Sequence, residues 1–142
     1  MVKHGKSQHT NNVQLGKYGR YRTNIWEYAG ANAFGKARDE ELAMHPTVKP
    51  VALIADAIRD CSHRHQIILD PFGGSGSTMV AAERTARKAR CIELDPLYCD
   101  TIIKRMEKIF GIDAVLQSSG QGFAKVCALR TASNDADHEN AA

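Results

Sequence analysis

At the centre of the chain lies the stretch Ile67-Ile68-Leu69-Asp70-Pro71-Phe72-Gly73-Gly74-Ser75-Gly76-Ser77-Thr78-Met79-Val80-Ala81-Ala82-Glu83. Its first three residues are branched and apolar, which predicts a buried strand. The run that continues to Gly76 must turn sharply, and the residues from Thr78 to Glu83 are rich in helix formers. The stretch therefore predicts a strand, a glycine turn and a helix, in that order.

The glycine turn has the features of a ligand-binding loop. Glycines let backbone amides approach a ligand, and the start of the next helix adds unpaired N–H groups and partial positive charge. Carboxylate, phosphate or ribose oxygens would suit it. The phosphate loop of nucleotide hydrolases is disfavoured because Ser77 and Thr78 follow Gly76 without a lysine. A dinucleotide fingerprint is weakened because Met79 occupies the place of its third glycine.

Two carboxylates accompany the turn. Asp70 stands at its start, and Glu93 stands at the end of a second apolar run, Arg90–Leu94, which predicts a second strand. Glu93 follows the turn by roughly 20 residues, the spacing at which a carboxylate can bind both hydroxyls of a ribose. The pair therefore predicts nucleoside binding.

Three ordered motifs resemble one family. The first is His45-Pro46-Thr47-Val48-Lys49-Pro50, the second Asp70-Pro71-Phe72-Gly73-Gly74-Ser75-Gly76-Ser77-Thr78, and the third Ile92-Glu93-Leu94-Asp95-Pro96-Leu97-Tyr98. Together they resemble the cofactor-binding part of the DNA methyltransferases that modify the amino group of adenine (N6) or cytosine (N4). Their order is similar to that of the class called beta.

The resemblance implies a fold, a cofactor and a partner. The fold would be α/β, a partial doubly wound (Rossmann-like) parallel sheet of the class I methyltransferase type, with three layers in all. The cofactor would be S-adenosylmethionine and the partner double-stranded DNA. The implied cofactor-binding residues are Thr47 and Lys49 at the amino-acid end, Asp70, Phe72, Gly73, Ser75 and Gly76 in the turn, and Glu93 at the ribose. Without the resemblance, Thr47 and Lys49 would be a helix cap and a solvent lysine.

Apolar residues at helical spacing predict two further helices. The first should begin with Thr47 as its N-cap and accept Pro50 in its first turn. The second should begin at Asp95-Pro96 and end at Gly111. The predicted buried stripes are Val51, Ile54, Ala55, Ile58 and Cys61 in the first helix, and Tyr98, Ile102, Met106 and Ile109 in the second.

Three segments are expected along the chain. Residues 1–23 should be a flexible basic segment, residues 24–123 a partial S-adenosylmethionine-binding domain, and residues 124–142 a disordered polar tail. Within the domain, residues 24–28 are either a short strand or an aromatic patch in which Trp26 packs in the core. Residues 114–116 should form a third strand, and residues 120–123 a loop.

Composition narrows the class of protein. A chain of 142 residues with 43% hydrophobic and 25% charged residues is an ordinary water-soluble composition, and no run is long enough to span a membrane. The sequence starts without an apolar leader. Four cysteines, none in a Cys-x-x-Cys pair, favour buried free thiols in a reducing cytoplasm over a metal site. For His63 and His65 a solvated loop is favoured over metal binding.

The N-terminal segment is basic and aromatic. Five cations precede the first acid, and two tyrosines and a tryptophan are interleaved with them: Lys3, Lys6, Lys17, Arg20 and Arg22, with Tyr18, Tyr21 and Trp26. Phosphate contacts with aromatic stacking would suit nucleic acid. A disordered basic tail would have the same composition, and only the family resemblance favours DNA.

The resemblance also implies a missing part. In the family, the target base is held by a four-residue loop in which two prolines and an aromatic residue follow Asp, Asn or Ser. The prolines here are Pro46, Pro50, Pro71 and Pro96, none adjacent, so no catalytic residue is expected in this chain. We therefore expect a C-terminal piece of a longer enzyme, lacking the strands that carry this loop. A non-catalytic remnant, half of a split enzyme completed by a second chain or oligomer, and a dehydrogenase-type nucleotide binder remain as alternatives.

Overall fold

The computed structural model describes residues 10–28 and 48–139. The chain divides into two compact units, Met1–Ile102 and Ile103–Ala142, a boundary that lies inside the range 24–123 expected to be one domain. The first unit contains α1 (Val51–Cys61), β1 (Ile67–Asp70), α2 (Ser77–Arg84) and β2 (Lys88–Cys91). The helix α3 (Pro96–Phe110) begins in the first unit and ends in the second.

The strands β1 and β2 form a parallel two-stranded sheet, as the sequence predicted. Ile67 pairs with Lys88, and the register continues to Asp70 opposite Cys91. The strand β2 spans Lys88–Cys91 rather than the predicted Arg90–Leu94, because beyond Cys91 the Ile92 carbonyl bonds with the glycine turn. The Ile92 N–H donates to the Asp70 carbonyl at 2.9 Å, and its carbonyl accepts from the Gly73 N–H at 2.8 Å. Glu93 consequently lies in the loop after the strand.

One face of this sheet is covered by helices. A core of small and branched residues, Ala55 and Ile58 from α1 with Ala81 and Ala82 from α2, packs with Ile68 and Ala89 of the strands. On the opposite face, Ile67 and Leu69 remain 63% and 66% exposed. The α/β class is confirmed, but the expected three layers are not formed by the residues that the structure describes, which put a helical layer on one face of the sheet.

The helix α1 begins later than predicted. Pro50 is in an extended conformation (φ −57°, ψ 126°), and the helix starts at Val51. The residue before a proline is pushed out of the helical region, so Lys49 cannot continue a helix towards residue 47. Thr47, the expected N-cap, lies outside the described residues. Cys61, expected on the buried stripe, is exposed at the last turn.

The helix α3 agrees with its predicted limits. It ends before Gly111, which has φ +63° and donates its N–H to the Glu107 carbonyl at 2.8 Å. The predicted stripe is only half right: Ile102 and Met106 are buried, whereas Tyr98 is half-buried and Ile109 is 39% exposed.

The second unit confirms the third strand predicted at residues 114–116 but differs from the predicted loop and tail. The strand β3 (Val115–Leu116) pairs antiparallel with β4 (Gln121–Gly122), where a loop was predicted. The helix α4 (Phe123–Glu139) then occupies most of the range expected to be a disordered tail. Alanines recur through this segment, at positions 124, 128, 132 and 136. Because alanine has the highest helix propensity, these residues offset the polar composition that predicted disorder.

Parts of residues 10–28 lie against α1, and the segment predicted to be flexible, residues 1–23, is described from residue 10 onward. The Asn12 side chain donates to the carbonyls of Arg59 at 2.7 Å and Ser62 at 2.8 Å, and the Arg22 guanidinium is 2.6 Å from the Asp60 carboxylate. Residues 24–28 contain no strand, and Trp26 is 37% exposed rather than buried in the core. The segment is therefore an aromatic patch, but the predicted packing of Trp26 in the core is wrong.

Two features are absent from the part of the chain that the structure describes, a membrane-spanning helix and a cluster of metal-binding side chains. Among the described residues, no helix has both the length and the apolar character needed to cross a bilayer. Within the same residues, no three side chains of His, Cys, Asp or Glu converge as a metal site would require.

Candidate functional site

The glycine turn joins β1 to α2 in a compact form. Gly74 and Gly76 adopt φ values of +52° and +76°, which favour glycine. The Gly76 N–H donates to the Gly73 carbonyl at 2.9 Å, and Gly76 is the N-cap of α2. A side chain at Gly76 would lie 3.0 Å from Ile102, so the turn also needs glycine for close packing against α3.

The Glu93 carboxylate is held at the mouth of the turn by main-chain amides. One oxygen, Oε2, accepts the Gly74 N–H at 2.6 Å. The other, Oε1, accepts the N–H groups of Leu94 at 2.9 Å and Asp95 at 3.0 Å. Asp95 in turn accepts the Leu97 N–H at the start of α3, at 2.8 Å. The glycine turn and Glu93 are therefore in direct contact.

The Asp70 carboxylate is fixed by its own turn. Its Oδ1 accepts the Phe72 N–H at 3.0 Å, and its Oδ2 accepts the Thr78 hydroxyl at 2.6 Å. The carboxylate therefore bridges the end of β1 and the first turn of α2. Both acids of the site are thus oriented by hydrogen bonds rather than left to rotate in solvent.

These groups line one cavity of about 260 Å³. Six of the eight predicted residues line it: Lys49, Asp70, Phe72, Gly73, Ser75 and Glu93. Gly76 does not, because it serves the turn and the packing on Ile102. Thr47 lies outside the described residues.

The prediction missed five lining residues, namely Ile54, Gly74, Ser77, Thr78 and Tyr98. Ile54 and Tyr98 were assigned to buried stripes, yet the helix ends that carry them flank the cavity. Thr78 carried a usable signal, because a hydroxyl in the first turn of a helix after such a loop faces the loop's ligand site. Gly74 could have been inferred as the amide donor opposite Glu93.

The charges of the lining are mixed. Two carboxylates, Asp70 and Glu93, share the cavity with one ammonium, that of Lys49. Cys91 pairs with Asp70 across the sheet, and burial together with the negative charge of Asp70 raises the pKa of its thiol to about 11. The site therefore suits a ligand that carries positive charge and hydroxyls together with one carboxylate. It does not suit a ligand with several phosphates.

With this geometry in view, comparison with known proteins identifies the class. Residues 1–105 match the DNA methylase family model of the N6/N4 amino-methyltransferases. The chain belongs to this family.

Individual relatives agree with this membership. The Type II methyltransferase M.ScaI of Streptomyces caespitosus is 30% identical over 106 residues, covering 75% of this chain and 35% of the relative. The orphan methyltransferase M.BamHII of Bacillus amyloliquefaciens is 30% identical over 122 residues, covering 85% and 45%. The crystal structure of the M1.HpyAVI–SAM complex superposes with a TM-score of 0.50 at 27% identity, covering 71% of this chain and 45% of that chain. The chain thus spans less than half the length of each of these relatives.

Proposed function

We propose that this chain is the S-adenosylmethionine-binding, C-terminal part of a beta-class DNA methyltransferase. The whole enzyme would be site-specific and would transfer the methyl group to the amino nitrogen of adenine (N6) or cytosine (N4) in double-stranded DNA, in the cytoplasm. One observation carries the proposal: the 2.6 Å hydrogen bond from the Gly74 N–H to the Glu93 carboxylate, at the mouth of a cavity that Asp70 and Lys49 also line.

The donors and acceptors of the cavity fit this cofactor. The Glu93 carboxylate would accept the ribose hydroxyls, and the Lys49 ammonium would pair with the cofactor's carboxylate. Asp70, held by Thr78, would face the positively charged amino-acid end. The main chain of Gly73 and Ser75 would approach the ligand closely, and the 85% exposed ring of Phe72 could cover an adenine. Thr47 would assist Lys49.

When bound, S-adenosylmethionine supplies an electrophilic methyl group on sulfur. The residues of this chain would hold that group in position for in-line attack by the base's amino nitrogen, so their contribution is orientation rather than covalent catalysis. We assign no catalytic residue here, because the Pro-Pro loop that would hold the flipped base has no counterpart among the four prolines.

A second candidate is a cofactor-binding module, either a remnant or half of a split enzyme. The exposed sheet face favours the split enzyme. Ile67 and Leu69 on β1, with Ile92 and Leu94 beyond β2, are between 60% and 97% exposed. A second chain or an oligomer that supplies helices for this face and strands for the sheet edge would cover them, as in a doubly wound sheet.

Labelled S-adenosylmethionine tests whether the chain is a complete enzyme or a part that binds the cofactor alone. The purified chain is incubated with the labelled cofactor, alone and with duplex DNA, and both cofactor binding and DNA methylation are measured. We expect cofactor binding without DNA methylation, because the base-holding loop is absent. Methylated DNA would establish a complete enzyme and contradict the incomplete-site account, whereas failure to bind cofactor would contradict the proposal itself.

A comparison of the thermal stabilisation by two cofactors tests the dehydrogenase alternative. Two carboxylates in the cavity would repel a pyrophosphate, so S-adenosylmethionine should raise the melting temperature of the chain more than a nicotinamide dinucleotide at equal concentration. A larger shift with the dinucleotide would favour the dehydrogenase alternative instead.

A further inference from the structure

Residues 14–22, here named the tyrosine loop, are held against α1 at both ends. On one side, Asn12 makes three hydrogen bonds to the end of α1: its N–H donates to the Asp60 carbonyl at 3.0 Å, and its side chain to Arg59 and Ser62. On the other side, Arg22 pairs with the Asp60 carboxylate and stacks over the Trp26 ring at 4.4 Å. These contacts connect both ends of the tyrosine loop to α1.

The tyrosine loop is folded on itself and presents its rings outward. The Gly16 N–H donates to the Arg20 carbonyl at 2.9 Å, and the Lys17 N–H to the Gln14 carbonyl at 3.0 Å. Tyr18 and Tyr21 are nevertheless 86% and 85% exposed. Two tyrosines that a hydrogen-bonded loop holds in solvent contribute nothing to a core, which leaves the Tyr21 ring available for stacking.

Positive charge surrounds these rings. Lys17 and Arg20 are exposed, and the Arg20 guanidinium lies 5.8 Å from the Tyr18 ring. A groove of about 410 Å³ runs between the tyrosine loop and the end of α1, lined in part by Arg20, Tyr21 and Arg22. Asp60 also lines this groove, but Arg22 neutralises its charge at 2.6 Å. The groove is therefore basic at Arg20 and aromatic at Tyr21.

We propose that the tyrosine loop binds single-stranded DNA, with Lys17 and Arg20 at the phosphates and Tyr21 stacked on an unpaired base. Base stacking on an aromatic ring beside a cation is the usual means of binding unpaired nucleotides without sequence preference. The inference rests on the proposed function, because amino-methylation requires a base to leave the duplex, which exposes unpaired nucleotides next to the enzyme.

Fluorescence anisotropy with the full chain tests the proposal. The probes are a labelled DNA strand of about 16 nucleotides, the upper end of the usual site size, and the same strand in a duplex. We expect tighter binding of the single strand. Tyr21→Ala should weaken it by about 5- to 100-fold, whereas Tyr21→Phe, which keeps the ring, should leave it within about twofold.

Charge is tested separately. Arg20→Ala should reduce the slope of log affinity against log salt by about 0.7, the value for one phosphate contact on a single strand. Lys125→Ala, which removes an exposed cation from α4 in the second unit, is the matched control and should leave that slope unchanged. Equal effects of the two variants would overturn the proposed phosphate contact.

Cofactor affinity is measured on the same variants. If Tyr21→Ala and Tyr21→Phe bind the single strand equally well, or if the duplex binds as tightly as the single strand, the tyrosine loop proposal is wrong, even when S-adenosylmethionine still binds. If the unsubstituted chain does not bind S-adenosylmethionine, the proposed function is contradicted. The measured DNA affinities still decide the tyrosine loop proposal.

Discussion

At the scale of single residues, the site is organised by two carboxylates that are already bonded before any ligand arrives. Glu93 accepts three main-chain N–H groups, and Asp70 accepts one N–H and the Thr78 hydroxyl. Such pre-orientation lowers the entropy that a ligand must remove on binding. Sequence reasoning found both acids because their types and spacing are visible in the chain. It missed Thr78, because a contact between side chains eight positions apart depends on how the turn folds.

The Thr78–Asp70 hydrogen bond gives a prediction about affinity. Thr78→Val removes the hydroxyl but keeps the shape, so Asp70 should lose its orientation and S-adenosylmethionine binding should weaken by about 5- to 20-fold, roughly 1–2 kcal/mol. Thr78→Ser restores the hydroxyl and should bind within about twofold of the unsubstituted chain. Calorimetric titration measures both. Equal affinities for the valine and serine variants would show that Thr78 does not position Asp70.

The thiols give a prediction about pH. Burial and Asp70 raise the pKa of Cys91 to about 11 from 9.0, whereas Cys61 is exposed. Since alkylation requires the thiolate, peptide mapping after maleimide treatment at neutral pH should find Cys61 modified well before Cys91. The Cys91 thiol ionises at lower pH in the unfolded chain than in the folded chain. The part of the unfolding free energy that depends on this thiol is therefore constant below pH 9.0 and is lost as the pH rises to about 11. Similar rates at the two cysteines in the native chain would contradict this account.

At the scale of elements, the sequence predicted β1, α2 and α3 well because each has strong local signals: branched apolar residues, glycines before a helix, and Asp95-Pro96. The predicted limits were wrong where two local signals favoured different ends for the same element. The start of α1 is set by Pro50 rather than by a threonine cap, and β2 ends early because Ile92 bonds with the glycine turn. The helix α4 was missed because a polar composition was weighted above alanine content.

The glycine turn gives a prediction about stability. Gly76→Ala places a methyl group 3.0 Å from Ile102 in addition to forcing a left-handed backbone, and should cost about 2–4 kcal/mol of unfolding free energy. Gly111→Ala is the matched control: its φ is also positive, but nothing lies within 4 Å, so only the backbone cost of about 1–2 kcal/mol applies.

Urea titration measures these costs. In an Ile102→Ala background the penalty for Gly76→Ala should fall to about that of Gly111→Ala, because the contacting side chain is gone. An unchanged penalty in that background would show that contact with Ile102 is not the cause.

At the scale of the whole molecule, the sequence predicted a sheet that lacks part of its strands, and this stays a prediction. Among the described residues of the first unit, two strands pair, and the face opposite α1 and α2 exposes large aliphatic side chains on β1. The family resemblance implied that strands are missing, because the sequence lacks the catalytic loop that they carry. Local patterns alone could not predict an exposed face, because an apolar strand has the same sequence pattern whether its second face is covered or exposed to solvent.

The exposed face gives a prediction about association. The chain should self-associate as its concentration rises, and Leu69→Gln should weaken this association without lowering the melting temperature, since Leu69 is already 66% exposed. Leu129→Gln on α4, which is 55% exposed, is the control and should leave association unchanged. Sedimentation velocity measures the effect, and the account fails if both variants associate like the unsubstituted chain.

The most direct test of the central claim is calorimetric titration of S-adenosylmethionine into the chain and its Glu93→Ala variant. The glycine turn and Glu93 are proposed to hold one adenosine, so the variant should bind about 10- to 100-fold more weakly, as expected for a lost charge-assisted hydrogen bond. Glu83→Ala, which removes an exposed carboxylate from α2, should bind normally. Equal affinity of the Glu93→Ala variant and the unsubstituted chain would remove Glu93 from the site and contradict the account.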